Sequence, residues 1–82
     1  MTVIIWSKDG CAFCDQAARL LSKHRMAFEE RKLGHGWTKE DLLEAVPGAR
    51  TVPQIFINDR LVGGFSELKQ HLQETHVTQH TI

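Results

Sequence analysis

The residues "VIIW" at positions 3–6 place the first constraint on what this chain can fold into. They form a short, unbroken apolar run rich in β-branched side chains, and successive side chains along a strand point to opposite faces. A strand that is apolar on both faces has to be covered on both. The run therefore predicts a first strand inside a sheet with helices packed on each side.

The segments that follow supply those layers. After the turn Lys8-Asp9-Gly10, residues Phe13, Ala17, Leu20, Leu21 and His24 recur at helical spacing, while Asp15, Gln16, Arg19 and Lys23 fall off that face. This predicts a first helix that opens at the cysteines. "MAFEERKL" (26–33) alternates around Phe28 and stops at "GHG", which predicts a second strand and a parallel strand-helix-strand crossover. Thr38 followed by Asp41 is a capping-box spacing ahead of Leu42, Leu43 and Val46, and Pro47-Gly48 closes that second helix. "PQIFI" and "RLVGG" flank Asn58-Asp59, the turn chemistry of a tight antiparallel hairpin. Ser66 reads as the N-cap of a third helix, "ELKQHLQET", with Leu68 and Leu72 on one face. The polar end, 75–82, reads as a frayed tail.

With 82 residues and no repeat or linker, the chain is expected to be one domain, 1–82. Ten basic residues balance ten acidic ones, so nothing draws the whole molecule to nucleic acid or an anionic membrane. Any anion site must be local. The first residues lack a basic segment and a small-residue cleavage pattern, and no run approaches the roughly 18 apolar residues of a membrane span. The expectation is a soluble cytoplasmic protein.

The two cysteines stand three apart at Cys11 and Cys14 and can pack, bind metal, staple the chain or do redox chemistry. A bridge across so small a loop restrains the unfolded chain little, and a reducing cytosol disfavours structural disulfides. A zinc site needs four ligands. His24, His35, His71, His76 and His80 offer no suitable pairing except His76 with His80 in the expected tail, so all five are read as surface or helix-face residues. Trp6 and Trp37 are read as packing residues. Redox chemistry fits the position, because unpaired backbone N–H groups and the macrodipole at a helix N-terminus favour a thiolate. Lowering a thiol from about 8.5 to about 5 requires roughly 5 kcal/mol. The dipole contributes at most about 2 kcal/mol, each charge-assisted hydrogen bond about 1.5–3, and Lys8 about 1. Cys11, at the helix start, is then the attacking thiol. Cys14, one turn in on the same side, is the resolving one.

At "CAFC", "TVPQIFIN" and "GGFSEL", in this order and spacing, the chain closely resembles the small dithiol glutaredoxins of the thioredoxin-fold family, over nearly its whole length. The resemblance implies a thioredoxin-like α/β fold, a four-stranded mixed sheet with three helices in the order βαβαββα. It implies a glutathione-disulfide oxidoreductase with glutathione as co-substrate, no metal, and disulfide-bearing proteins as substrates, ribonucleotide reductase among the candidates, acting as a monomer. Catalysis would fall to Cys11 and Cys14. Glutathione would contact Lys8, Phe13, Thr51, Val52, Pro53, Gly64, Phe65 and Ser66, with Lys8 near its glycine carboxylate. The family's cis proline corresponds to Pro53, although the residues alone favour an ordinary trans proline opening a strand. A cis bond would turn the Val52 backbone toward the peptide of glutathione. The N-terminus of the third helix, at Gly63-Gly64-Phe65-Ser66, would take the γ-glutamyl carboxylate.

Two positions depart from the family pattern. Ala12 replaces the usual proline between the cysteines and Phe13 the usual tyrosine, so the loop gains an N–H and loses a fixed φ. In some members a small residue at the first of these positions accompanies a glutathione-ligated [2Fe-2S] cluster shared by two chains. A cluster carrier is the alternative this implies. A thioredoxin-reductase-fed donor to ribonucleotide reductase is a third, against which "GGFS" argues.

Overall fold

The computed structural model describes residues 1–77, with side chains through residue 73. The elements run β1 (Val3–Ser7), α1 (Ala12–Lys23), β2 (Glu29–Lys32), α2 (Lys39–Ala45), β3 (Gln54–Ile57), β4 (Arg60–Gly63) and α3 (Phe65–Val77). The strands form one sheet in the order β2-β1-β3-β4. The β1–β2 pair is parallel and the other two pairs are antiparallel. None of the described helices is long and apolar enough to cross a membrane.

The alternation inside β1 explains the two layers. Val3 and Ile5 join Ala17, Leu21, Ile55 and Leu68 in a core that places α1 and α3 on one face of the sheet. Trp6, with Ile4 packed beside it, joins Leu42 and Val46 under α2 on the other face. Ile5 and Ile55, direct partners across β1 and β3, are fully buried. Burying a side chain of that size stabilises a fold by about 1.5–3 kcal/mol. Trp37 meets Trp6 edge to face at 5.3 Å, and the Arg31 guanidinium lies over both rings, so both tryptophans pack as expected.

Local sequence signals explain most boundaries. Asn58 and Asp59 take positive φ values of 52° and 67°, the pair of left-handed residues that a two-residue hairpin requires. Thr38 and Asp41 form the full reciprocal capping box of α2. Four expectations need correction. β2 has only four residues, because Met26 and Phe28 reach the α1–α3 core from coil ahead of the ladder. Phe13 is exposed, and His24 is the exposed C-cap residue of α1, so the buried face of that helix is Cys14, Ala17 and Leu21. Helix α3 begins at Phe65, which makes Ser66 its second residue, not its N-cap. It runs to Val77, so residues 75–77 of the expected tail are helical, and 78–82 lie outside the described residues.

Candidate active site

Strand β1 delivers the chain to the site and ends on buried Ser7, whose hydroxyl donates to Glu30 on β2 at 2.7 Å. The turn 8–10 passes through Gly10, at φ +69°, a left-handed backbone region that a residue without a Cβ adopts at little cost. Cys11 follows as the N-cap residue of α1, in an extended conformation. Its Sγ accepts the Cys14 N–H at 3.1 Å, the place a serine or aspartate oxygen takes in an ordinary cap. Cys14 is 3% exposed, whereas Cys11 is only half-buried. The two are joined as a disulfide, with Cα atoms 5.2 Å apart. The difference in exposure makes Cys11 the sulfur that an external partner can reach.

The opposite wall comes from the segment before β3. The Val52-Pro53 bond is cis. The Val52 carbonyl oxygen lies 3.6 Å from Cys11 Sγ. In the disulfide that sulfur has no proton, so this is a contact; as a thiol, Cys11 can donate there. The carbonyl dipole opposes a thiolate, and the Cys14 N–H favours one. The Gln54 amide donates to the Thr51 carbonyl at 3.0 Å and braces the segment from β3.

The third wall is the start of α3. Leu68 N–H donates to the Gly64 carbonyl at 2.9 Å, so Gly64 stands where an N-cap stands. Glu67 Oε1 accepts the Gly64 N–H at 2.7 Å, the returning half of a capping box. This explains the displaced helix start, because Glu67 sits three residues beyond Gly64. Gly63 makes room for it: at φ +122°, a Cβ there would lie 2.9 Å from Glu67 Cγ.

These walls enclose two adjoining cavities. One, of about 250 Å³, is lined by Phe13, Thr51, Val52, Pro53, Gly64, Phe65, Ser66 and Glu67. Seven of those eight are residues expected from the sequence to contact glutathione; Glu67 is the addition. Phe13 is 59% exposed and stacks on Phe65 with ring centroids 6.0 Å apart, forming an apolar lip. The other cavity, of about 430 Å³, shares Thr51 and Val52 with the first and is lined further by Lys8, Lys39 and Arg50 among others. Lys8 thus stands apart from the other expected contacts, on the far side of Thr51 and Val52. The spacing of Gly64 and Glu67 carried a signal for the missed carboxylate. Nothing local ties Lys39 and Arg50 to the site, since they come from separate segments.

Beside the site, Asp9 Oδ2 is 2.7 Å from His35 Nε2, and Asp9 Oδ1 is 3.7 Å from Lys32 Nζ. The hydrogen bond with His35 is the main cause holding Asp9 below its ordinary 3.8; desolvation opposes it, and the charges of His35 and Lys32 add to it.

Comparison with known proteins agrees with this arrangement. The glutaredoxin family model matches residues 3–62. The hybrid peroxiredoxin hyPrx5 of Haemophilus influenzae is 40% identical over 70 residues, covering 85% of this chain. The chain spans only 29% of that relative's length. Glutaredoxin 3 of Escherichia coli is 35% identical over 66 residues, with 80% of each chain covered. Among solved structures, glutaredoxin 1 of Francisella tularensis, complexed with cacodylate, superposes with a TM-score of 0.76 at 30% identity, covering 90% of this chain and 94% of that one. Sequence and fold agree, and the chain belongs to the glutaredoxin family, with its thioredoxin-like fold.

Proposed function

We propose that the chain is a thiol–disulfide oxidoreductase that uses glutathione as co-substrate. The observation that carries the reading is the Cys11 sulfur: it caps α1, accepts the Cys14 N–H at 3.1 Å, and is paired with a buried second cysteine. In the reduced protein the Cys11 thiolate attacks the glutathione sulfur of a mixed disulfide. The S–S bond breaks, the protein thiolate leaves and takes a proton, and a Cys11–glutathione disulfide forms. A second glutathione thiolate then attacks the bound glutathione sulfur and releases Cys11. On a protein disulfide, Cys14 resolves instead, which ends in the Cys11–Cys14 pair seen here.

The cavity beside Cys11 supports glutathione as the partner. Val52 presents its backbone at one wall and the α3 N-terminus opens at another, which suits a peptide with a carboxylate at its far end. Lys8, in the adjoining cavity, suits the glycine carboxylate. Buckwheat glutaredoxin, solved as a complex with glutathione, has this fold at a TM-score of 0.77 and 21% identity. The proposed setting is the cytoplasm, with the protein acting as a monomer on disulfide-bearing proteins.

The test is turnover of a glutathione mixed disulfide in the presence of glutathione and its reductase. Saturable turnover that requires Cys11 is expected. Reduction driven equally well by a thiol unlike glutathione would remove glutathione from the reading.

A further inference from the structure

The chain carries no net charge, yet one cleft of its surface is strongly cationic. Lys8 enters it from the β1–α1 turn, Lys39 from the start of α2, and Arg50 from the α2–β3 segment. All three are exposed, and none makes an ion pair with a described residue. No carboxylate lines the cleft. Of the nearby acids, Asp9 pairs with His35 and Lys32 and Asp41 accepts the Thr38 N–H, while Glu40, beside Lys39 in the first turn of α2, is exposed and does not line the cleft. Lys39 is moreover the first residue of α2, the end at which the macrodipole disfavours a positive charge. Three unpaired cations around one cavity repel one another, and a single carboxylate at Lys8 leaves two of them unmatched.

The cleft is continuous with the reaction site, because Thr51 and Val52 line both cavities and the Val52 carbonyl touches Cys11 Sγ. A polypeptide whose cysteine is being attacked at Cys11, and whose backbone lies along Val52, would extend its neighbouring residues over Lys39 and Arg50. We infer that this cleft selects protein disulfides whose attacked cysteine is flanked by acidic residues, and that Lys39 and Arg50 determine that preference. The inference rests on the reading of Cys11 as the attacking thiol.

The chemistry needs only the reduced protein. The Cys11 thiolate attacks one peptide sulfur, the peptide S–S bond breaks, and the second peptide sulfur leaves as a thiolate. Cys14, giving up its proton, attacks Cys11 Sγ and frees the first peptide sulfur. Two electrons pass from the dithiol to the peptide.

The experiment uses the full chain, reduced and freed of reductant, in single turnover against two disulfide-cyclised peptides that differ only in having Asp or Asn beside the attacked cysteine. The Asp peptide is expected to react about three- to tenfold faster at low salt. The gap should close in high salt, where the Debye length falls to about 3 Å. In the Lys39→Gln/Arg50→Gln variant the advantage should fall below about twofold, while the Asn peptide reacts at its original rate. Equal rates in the wild-type chain would overturn the inference, as would an advantage that survives in the variant. A variant that instead raises KM for a glutathione mixed disulfide would assign the cations to glutathione and overturn it too. If neither peptide reacts while glutathione mixed disulfides turn over, the inference fails and the reading of Cys11 stands. If no substrate reacts, both fail.

Discussion

Two helix N-termini in this molecule meet the same physical demand in different ways. Each leaves unpaired N–H groups that need an acceptor. At α2, Thr38 Oγ1 accepts the Asp41 N–H at 3.1 Å and Asp41 returns the bond to the Thr38 N–H at 2.9 Å. At α1 the acceptor is the sulfur of Cys11, with the Cys14 N–H 3.1 Å away. An uncharged sulfur is the weaker acceptor, so with Cys11 as a disulfide or a protonated thiol the α1 cap gives up stability that a hydroxyl would supply. The difference marks where the fold is being stabilised and where it is being used. At α1 the same N–H that satisfies a helix end can hold a thiolate.

The comparison breaks most sharply at Cys11. Replacing it with serine restores an ordinary cap, so at a pH below the folded Cys11 pKa, where the thiol is protonated, Cys11→Ser should be at least as stable as the reduced wild-type chain in a denaturant titration. Its turnover of glutathione mixed disulfides should nonetheless fall by about a thousandfold or more. Cys14→Ser should keep at least about a tenth of that turnover, because glutathione can resolve the intermediate. Equal loss in the two variants would remove the division of roles. At α2 the result should invert. Thr38→Ala should cost about 1 kcal/mol, or roughly 4–8 °C in Tm, with turnover unchanged below the transition.

The smallest effect expected lies at the turn beside Cys11. Asp9 is held below 3.8 chiefly by its hydrogen bond with His35, so its contribution to stability is present above the unfolded value and is lost as pH falls through the lower folded one. In His35→Ala the Asp9 carboxyl should titrate closer to 3.8, followed by its carbon chemical shift. An unchanged titration would show that Lys32 alone holds it.

The legible parts of this fold are those whose signals are local. The β-branched run of β1, the Asn58-Asp59 turn and the Thr38-Asp41 spacing each determine their element within a few residues, and the structure follows them. The cysteine pair was readable for the same reason. Reading failed where a partner from elsewhere decides. Helical periodicity assigned Phe13 to the core face, but at the first turn of α1 its ring stacks on Phe65 and stays exposed. Ser66 has the chemistry of an N-cap, yet Glu67 reaching back to Gly64 starts the helix earlier. Met26 and Phe28 have the pattern of a strand, yet they pack partly buried against the core from ahead of β2. The convergence of Lys8, Lys39 and Arg50 exists only after folding.

The central claim is that the mouth of α1 turns Cys11 into a nucleophile. The direct measurement is the ultraviolet titration of its thiolate in reduced Cys14→Ser, where no second thiol contributes. The account expects a pKa well below the free-thiol value of about 8.5. The accompanying stabilisation of the reduced protein should be complete above about 8.5 and fade as pH falls through the folded value. A Cys11 that titrates at about 8.5 or higher would contradict the account, because the α1 N-terminus would then hold the sulfur without activating it.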